Sequence, residues 1–247
     1  MTSRFRATLG YRGTRYAGWA VQPYRSTVQA TVETALASAL GHPCRVTAAG
    51  RTDAGVHAEG QVISFDSTST ITARGLREVL SNSLPDDVWV HEVSSVPGQF
   101  DARRSARRRW YRYALWRGHA SPSAAWQGRV LPQSGALDVA AMRSAARALV
   151  GRHDFASLAT SPSANGSTMR TVFAADWLEV SPALLLFEIC ADAFLKQMVR
   201  TIVGSLLWVG NGRWEPSDFA AALQATDRRA AGPNAPAEGL TLHRIDY

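Results

Sequence analysis

Lysine is almost missing from this chain. Lys196 is the only one, so 26 of the 27 basic residues are arginine, and the formal net charge of +7 rests on arginine. Cysteine is scarce as well. Cys44 and Cys190 stand far apart with no ligand-like spacing around them, which excludes a disulfide framework and fits a reduced, cytoplasmic protein. The six histidines, His42, His57, His91, His119, His153 and His243, are scattered, so we expect no zinc or other metal site. There is no long hydrophobic run. The most apolar stretch, Phe194 to Val209, contains Lys196 and Arg200 and is too short for a membrane span. The opening Met-Thr-Ser-Arg-Phe-Arg leads straight into an alternating pattern, so no secretion signal and no membrane association are expected. The chain also lacks a G-x-x-x-x-G-K-[ST] phosphate loop, a dinucleotide fingerprint and a G-x-S-x-G elbow, which argues against nucleotide-cofactor and serine-hydrolase chemistry.

What is present reads as globular. Apolar residues make up 46% and charged residues 19% of 247, enough for one large domain or two small ones. The arginines are unevenly placed: Arg103, Arg104, Arg107, Arg108, Arg109 and Arg112 fall within ten residues. Such a cluster points to a polyanion, most simply nucleic acid, against the alternative of a solvated basic face. Near the start, Trp19, Tyr16 and Tyr24 interleave with Arg12, Arg15 and Arg25, a mixture that suits unpaired nucleic acid or, alternatively, a surface loop with one packed tryptophan.

Strand and helix signals alternate without the regularity of a parallel doubly wound fold. Phe5, Ala7, Leu9 and Tyr11 alternate as a half-buried strand. Ser26 with Gln29 predicts a capping box, followed by a helix carrying Val28, Val32, Leu36 and Leu40 to Gly41. Short strands are expected over Arg45–Ala49, Gln61–Asp66 and Val88–Val93, with a helix from about Ala73 to Leu84, stopped by Pro85, between the last two. A second unit opens on the alternating strand Arg109–Trp116. An Asp138-capped helix follows, then a loop over Thr160–Thr168, a hairpin around Ser181-Pro182, a long helix over Ala193–Val209, a shorter one after Pro216 and a final strand. The fold class is therefore α+β, two mixed subdomains with a largely antiparallel sheet. We place the subdomains at 1–105 and 106–247, with a ligand cleft expected at their junction.

Three residues stand out chemically. Asp53 lies in Gly50-Arg51-Thr52-Asp53-Ala54-Gly55-Val56-His57-Ala58, between two glycines and two residues from Arg51. A tight loop there would aim one ionised carboxylate at a ligand; the alternative is a turn in which Asp53 caps backbone amides. Tyr111 is either a core aromatic or a ring that stacks on a base and handles a proton. Arg200 interrupts an apolar helix and either faces solvent or needs an anion, for which Asp53 is a natural candidate.

Taken together, these pieces resemble the tRNA pseudouridine synthase A family over nearly the whole chain. Gly50 to Ala58 is similar to its catalytic signature. Tyr11-Arg12-Gly13-Thr14, Gly18-Trp19, Thr27-Val28-Gln29, Phe100 with Ala102-Arg103, Arg112-Tyr113, Asp154-Phe155, Ala193-Phe194, Met198-Val199-Arg200, Ile202-Val203-Gly204, Ala235-Pro236 and Gly239-Leu240 follow in the family's order. The resemblance implies the pseudouridine synthase fold and isomerisation of uridine at positions 38 to 40 of the tRNA anticodon arm by a homodimer, with neither cofactor nor metal. It implies that Asp53 is the catalytic aspartate, Tyr111 the active-site tyrosine, Arg200 the aspartate's partner and Arg51 the residue that helps displace the base. Trp19, Arg103, Arg107, Arg108 and Arg109 are expected to contact RNA. The carboxylate's route stays open: attack on C1′, attack on the base, or removal of the C2′ proton. The competing class is a non-catalytic RNA-binding module. Two residues depart from the family pattern: Ala20 stands where Gln is usual and Asp101 where His is common.

Overall fold

The computed structural model of the protein describes residues 2–162 and 166–247. The chain divides into two compact units, one of Met1–Arg107 with Leu242–Tyr247 and one of Arg108–Thr241.

In the first unit, strand β1 (Ser3–Tyr11) is followed by helix α1 (Val28–Leu40), the short β2 (Thr47–Ala48), β3 (His57–Ser67), helix α2 (Ala73–Ser83) and β4 (Val88–Val96). The alternation of β1 is realised: Phe5, Ala7, Leu9 and Tyr11 are all buried. β1 lies between β3 and β4 and runs antiparallel to both, with Phe5 opposite Phe65 on one side and Ser95 on the other. β3 begins at His57, earlier than expected, because Ala58 already pairs with Tyr11 across a register shift that places one extra residue on β3. The end of the signature is thus the start of a core strand.

Helix α1 buries Val28, Val32, Leu36 and Leu40 and stops at Gly41, whose φ of 74° is left-handed. The expected Ser26–Gln29 capping box does not form. The N-cap is Thr27, without a side-chain capping bond, and the Gln29 amide donates to Glu33 instead (2.9 Å). The carbonyls of Gly18 and Trp19 take the first amides of the helix, from Val28 (3.2 Å) and Gln29 (3.0 Å). A chain segment folded back over the helix start does the work of a cap.

The second unit contains β5 (Arg108–Trp116), β6 (Leu131–Pro132), α3 (Val139–Arg147), β7 (Gly151–Asp154), β8 (Met169–Ser181), β9 (Leu184–Ala191), α4 (Met198–Gly210) and α5 (Pro216–Gln224). The final strand β10 (Leu240–Asp246) starts in this unit and, from Leu242, belongs to the first. Within the second unit the strand order is β5-β9-β8-β7, antiparallel throughout, with β6 adding a short parallel pairing to β5. Asp138 caps α3 through the Ala141 amide (2.8 Å), and Pro216 opens α5 inside a Glu215–Asp218 capping box. Trp177 and Phe187 fill the core, with ring centroids 5.0 Å apart. Of the loop expected over Thr160–Thr168, residues 163–165 lie outside the described residues.

One helix is shorter than its sequence predicts. α4 starts at Met198 and not at Ala193. The preceding backbone is held sideways: the Asp192 carboxylate accepts from the amides of Thr171 (3.1 Å) and Ala193 (2.6 Å), the Lys196 carbonyl accepts from Thr160, and Gln197 has a φ of 60°. Lys196 and Phe194 therefore precede the helix, and Arg200 sits in its first turn. The fold is α+β with largely antiparallel sheet, as expected.

Candidate active site

Asp53 occupies a turn of the first unit that is tied down at several points. Val56 N–H donates to the Asp53 carbonyl (3.2 Å), and Gly55, with a φ of 79°, makes the left-handed step that a residue with a Cβ resists. The Thr52 carbonyl accepts from Trp19 N–H (3.0 Å), and Gly55 N–H donates to the Tyr16 carbonyl (3.3 Å). From beneath, the Tyr11 hydroxyl meets Thr52 Oγ1 (2.8 Å), and Gln61 Nε2 donates to the Gly50 carbonyl (2.7 Å). Gly13 N–H donates to His57 Nδ1 (3.2 Å), so that ring nitrogen carries no proton. Burial pushes the Tyr11 hydroxyl up to about 12, so it stays protonated near neutral pH and keeps its hydrogen bond. Gly18 is obligatory for the close approach: a Cβ there would stand 2.8 Å from the Thr52 carbonyl oxygen. The result is a partly buried carboxylate on a rigid loop, with Arg51 exposed beside it.

Trp19 is corrected by this geometry. It is only 2% exposed and packs against Tyr11 with ring centroids 5.9 Å apart, so it is a core ring and not an RNA contact. Tyr16 is buried too, its hydroxyl donating to Asp87 (2.9 Å).

In the second unit, Tyr111 and Tyr113 share one face of β5, as residues two apart on a strand must. Tyr111 is mostly buried and meets Phe194 edge-on, at 5.0 Å between centroids and an interplanar angle of 82°. The Tyr113 hydroxyl donates to the Pro236 carbonyl (2.8 Å). Arg200 Nε donates to the Ala235 carbonyl (2.7 Å), and Ala235 N–H donates back to the Arg200 carbonyl (2.9 Å). The same segment bonds to α4 through Asn234, which accepts from Thr201 (2.6 Å) and donates to Gln197 (2.7 Å). Tyr113, Phe194, Asn234 and Ala235 are supports that sequence reasoning passed over. The motifs Ala193-Phe194 and Ala235-Pro236 were visible, but nothing in them showed that they would meet Tyr111 and Arg200.

Gly204 makes this clamp possible. A Cβ on it would lie 1.8 Å from the Pro233 carbonyl oxygen, a backbone atom that cannot yield cheaply. We expect Gly204→Ala to destabilise the protein by about 3 kcal/mol, read as a lowered urea midpoint with an unchanged slope.

The arginines that cluster in sequence are shared between the two units, 103–107 in the first and 108–112 in the second. Asp101 Oδ1 accepts from the amides of Arg103 (2.9 Å) and Arg104 (2.8 Å), forming a turn that leaves both side chains exposed. This turn is anchored through buried Ala102: its amide donates to Ser64 (3.0 Å), and its carbonyl accepts from the Tyr247 hydroxyl (2.8 Å). Asp101 is thus the residue that builds the turn. Arg107 is exposed in the same unit. In the second unit, the exposed Arg108 lies 4.8 Å over the Phe173 ring, Arg109 donates to the Asp192 carbonyl, and Arg112 pairs with Glu188 across the β5–β9 ladder (2.7 Å). Among the described residues, no helix is long and apolar enough to cross a membrane.

The family model described as tRNA pseudouridine synthase matches residues 7–103 and 145–247. The tRNA pseudouridine synthase A of Oleidesulfovibrio alaskensis is 40% identical over 276 residues, spanning 99% of this chain and 96% of that one. That of Geobacillus kaustophilus is 40% identical over 100% of this chain and 95% of its own, and that of Bordetella petrii 42% over 97% and 89%. A solved archaeal box H/ACA sRNP Nop10–Cbf5 complex is similar over 91% of this chain and 68% of that chain, at 11% identity and a TM-score of 0.33.

Proposed function

The chain belongs to the tRNA pseudouridine synthase family, and on that premise we propose that it isomerises uridine to pseudouridine at positions 38–40 of the tRNA anticodon arm, with Asp53 as the catalytic group and no cofactor. The observation that carries this reading is the Asp53 turn itself. Its partners are side chains of β1 and β3 and the backbone of the segment before α1, so the turn that carries the carboxylate is fixed before any substrate arrives.

The reaction breaks N1–C1′ and forms C5–C1′, with one proton lost from C5 and one gained at N1. Asp53, ionised, starts it. In this proposal Arg200 is the counter-ion that keeps the carboxylate charged and oriented, Tyr111 lies against the uracil, and Arg51 helps draw the nucleotide out of its stack. The ordered contacts of Arg200 with Ala235 and of Tyr111 with Phe194 support these roles, because each side chain arrives already fixed by its neighbours. The protein is further proposed to act as a cytoplasmic homodimer, as the family resemblance implies.

Tritium release from [5-³H]uridine-labelled tRNA tests the reaction directly, since the label on C5 leaves only when the new glycosidic bond replaces it. Release accompanied by pseudouridine at positions 38–40 is the expected result. Tight binding with no release would make the chain an RNA-binding module.

Exposed Arg103, Arg104, Arg107 and Arg108 are proposed to meet phosphates. Four such contacts predict a log–log salt dependence of tRNA affinity with a slope of about −3. In a filter-binding titration, replacing Arg103 and Arg104 by alanine should flatten that slope by about half. Arg109, which donates to the Asp192 carbonyl, is proposed to contribute to the same surface.

A further inference from the structure

Among the aromatic residues of the segment before α1, Trp19 and Tyr16 are buried, and Tyr24 is fully exposed. Its backbone is unusual. Gln22 O accepts from Arg25 N–H (3.5 Å) around Pro23 and Tyr24, and Tyr24 has a φ of 57°. Proline followed by a residue of positive φ is the pattern of a type II turn, whose third position favours glycine or asparagine and penalises a bulky ring. A tyrosine held there in a strained conformation, with no burial to offset the strain, serves the fold poorly.

The turn is not loose. Gln22 Nε2 donates to the Ala17 carbonyl (2.8 Å), Ala17 N–H donates to the Ser26 carbonyl (2.9 Å), and Val21 N–H donates to Gln29 Oε1 (3.4 Å). The segment then runs directly into the catalytic turn: the Cβ position of Gly18 is 3.1 Å from the Asp53 carbonyl carbon. Six extended residues reach about 20 Å, so the Tyr24 backbone is tethered within about that distance of Gly18, which packs on the Asp53 turn. Exposed Arg25 stands beside it.

We propose that Tyr24 is a stacking platform for a tRNA base flanking the target uridine, with Arg25 on the adjoining phosphate. The proposal rests on the reading of the Asp53 turn as the catalytic site. An aromatic face attracts any base, so Tyr24 contributes to affinity and to placing the RNA strand, and takes no part in the bond rearrangement.

Asparagine at this position suits the turn and removes the ring. Tyr24→Asn should therefore raise KM for tRNA about tenfold while leaving kcat within twofold, and should leave Tm unchanged or slightly higher. Tyr24→Phe keeps the ring and should behave as the unsubstituted protein. Unchanged KM in Tyr24→Asn would overturn the proposal, as would a Tyr24→Phe variant as impaired as Tyr24→Asn, or a loss of Tm that accounts for the loss of binding. The unsubstituted protein is assayed alongside: absence of tritium release from it would refute the catalytic reading itself, whereas release that Tyr24→Asn leaves unaltered refutes only the role of Tyr24.

Discussion

Asp53→Asn lowers pseudouridine formation by at least about 10⁴-fold and leaves tRNA affinity within about twofold. The amide is nearly the same size as the carboxylate, and the turn around it is held by backbone groups of Thr52, Asp53 and Gly55 and by the Thr52 hydroxyl, none of which the substitution touches. The fold and the arginines proposed to bind RNA therefore persist. What disappears is the negative charge, and with it every route by which this side chain is proposed to begin the isomerisation. Losing the group on which the chemistry depends costs rate on this scale, because the binding surface alone retains only a small part of the catalysis. Single-turnover tritium release with the protein in excess over tRNA measures the loss, and filter binding measures the affinity. Turnover within tenfold of normal would remove Asp53 from the mechanism.

Arg200→Ala is expected to reduce kcat by about 10²- to 10³-fold. Its proposed partner carboxylate would lose a neighbouring charge that keeps it ionised and oriented, and removing one electrostatic stabiliser from an active site costs rate on this scale, about 10²- to 10³-fold. Arg200→Lys preserves the charge but not the planar fork. Lysine has no counterpart to the Nε that donates to Ala235, so the cation would be misplaced and recovery only partial. A pH–rate profile separates this role from a merely structural one. In Arg200→Ala the acid limb should move to higher pH, since an unpaired carboxylate takes up a proton more readily. A profile of unchanged shape with uniformly lower rates would show that Arg200 only supports the fold.

The sequence made the strands and the long signature legible because their signals are local. The alternation of β1, the Asp138 cap and the Ser181-Pro182 hairpin each depend on neighbours a few residues away. The misplaced features depend on distant ones. The cap of α1 comes from Gly18 and Trp19, folded back over the helix start. The start of α4 is delayed because Thr160 takes the Lys196 carbonyl, which a longer helix would need, and Gln197 holds a left-handed φ. Trp19 beside arginines looked like an RNA contact because composition does not reveal which way a ring points, and the packing against Tyr11 decided it. The arginine cluster is similar: proximity in sequence did not show that Arg109 and Arg112 would meet Asp192 and Glu188.

The hydrogen bonds around Asp53 have a consequence for dynamics. The amides of Trp19, Gly55 and Val56 all donate to protein carbonyls, as strand amides do. In deuterium-labelling experiments this surface turn should exchange nearly as slowly as the sheet beneath it, unlike an ordinary exposed loop. In the proposed function, substrate would then encounter a carboxylate turn that has already taken its working shape, with little reorganisation on the protein's side to slow the encounter.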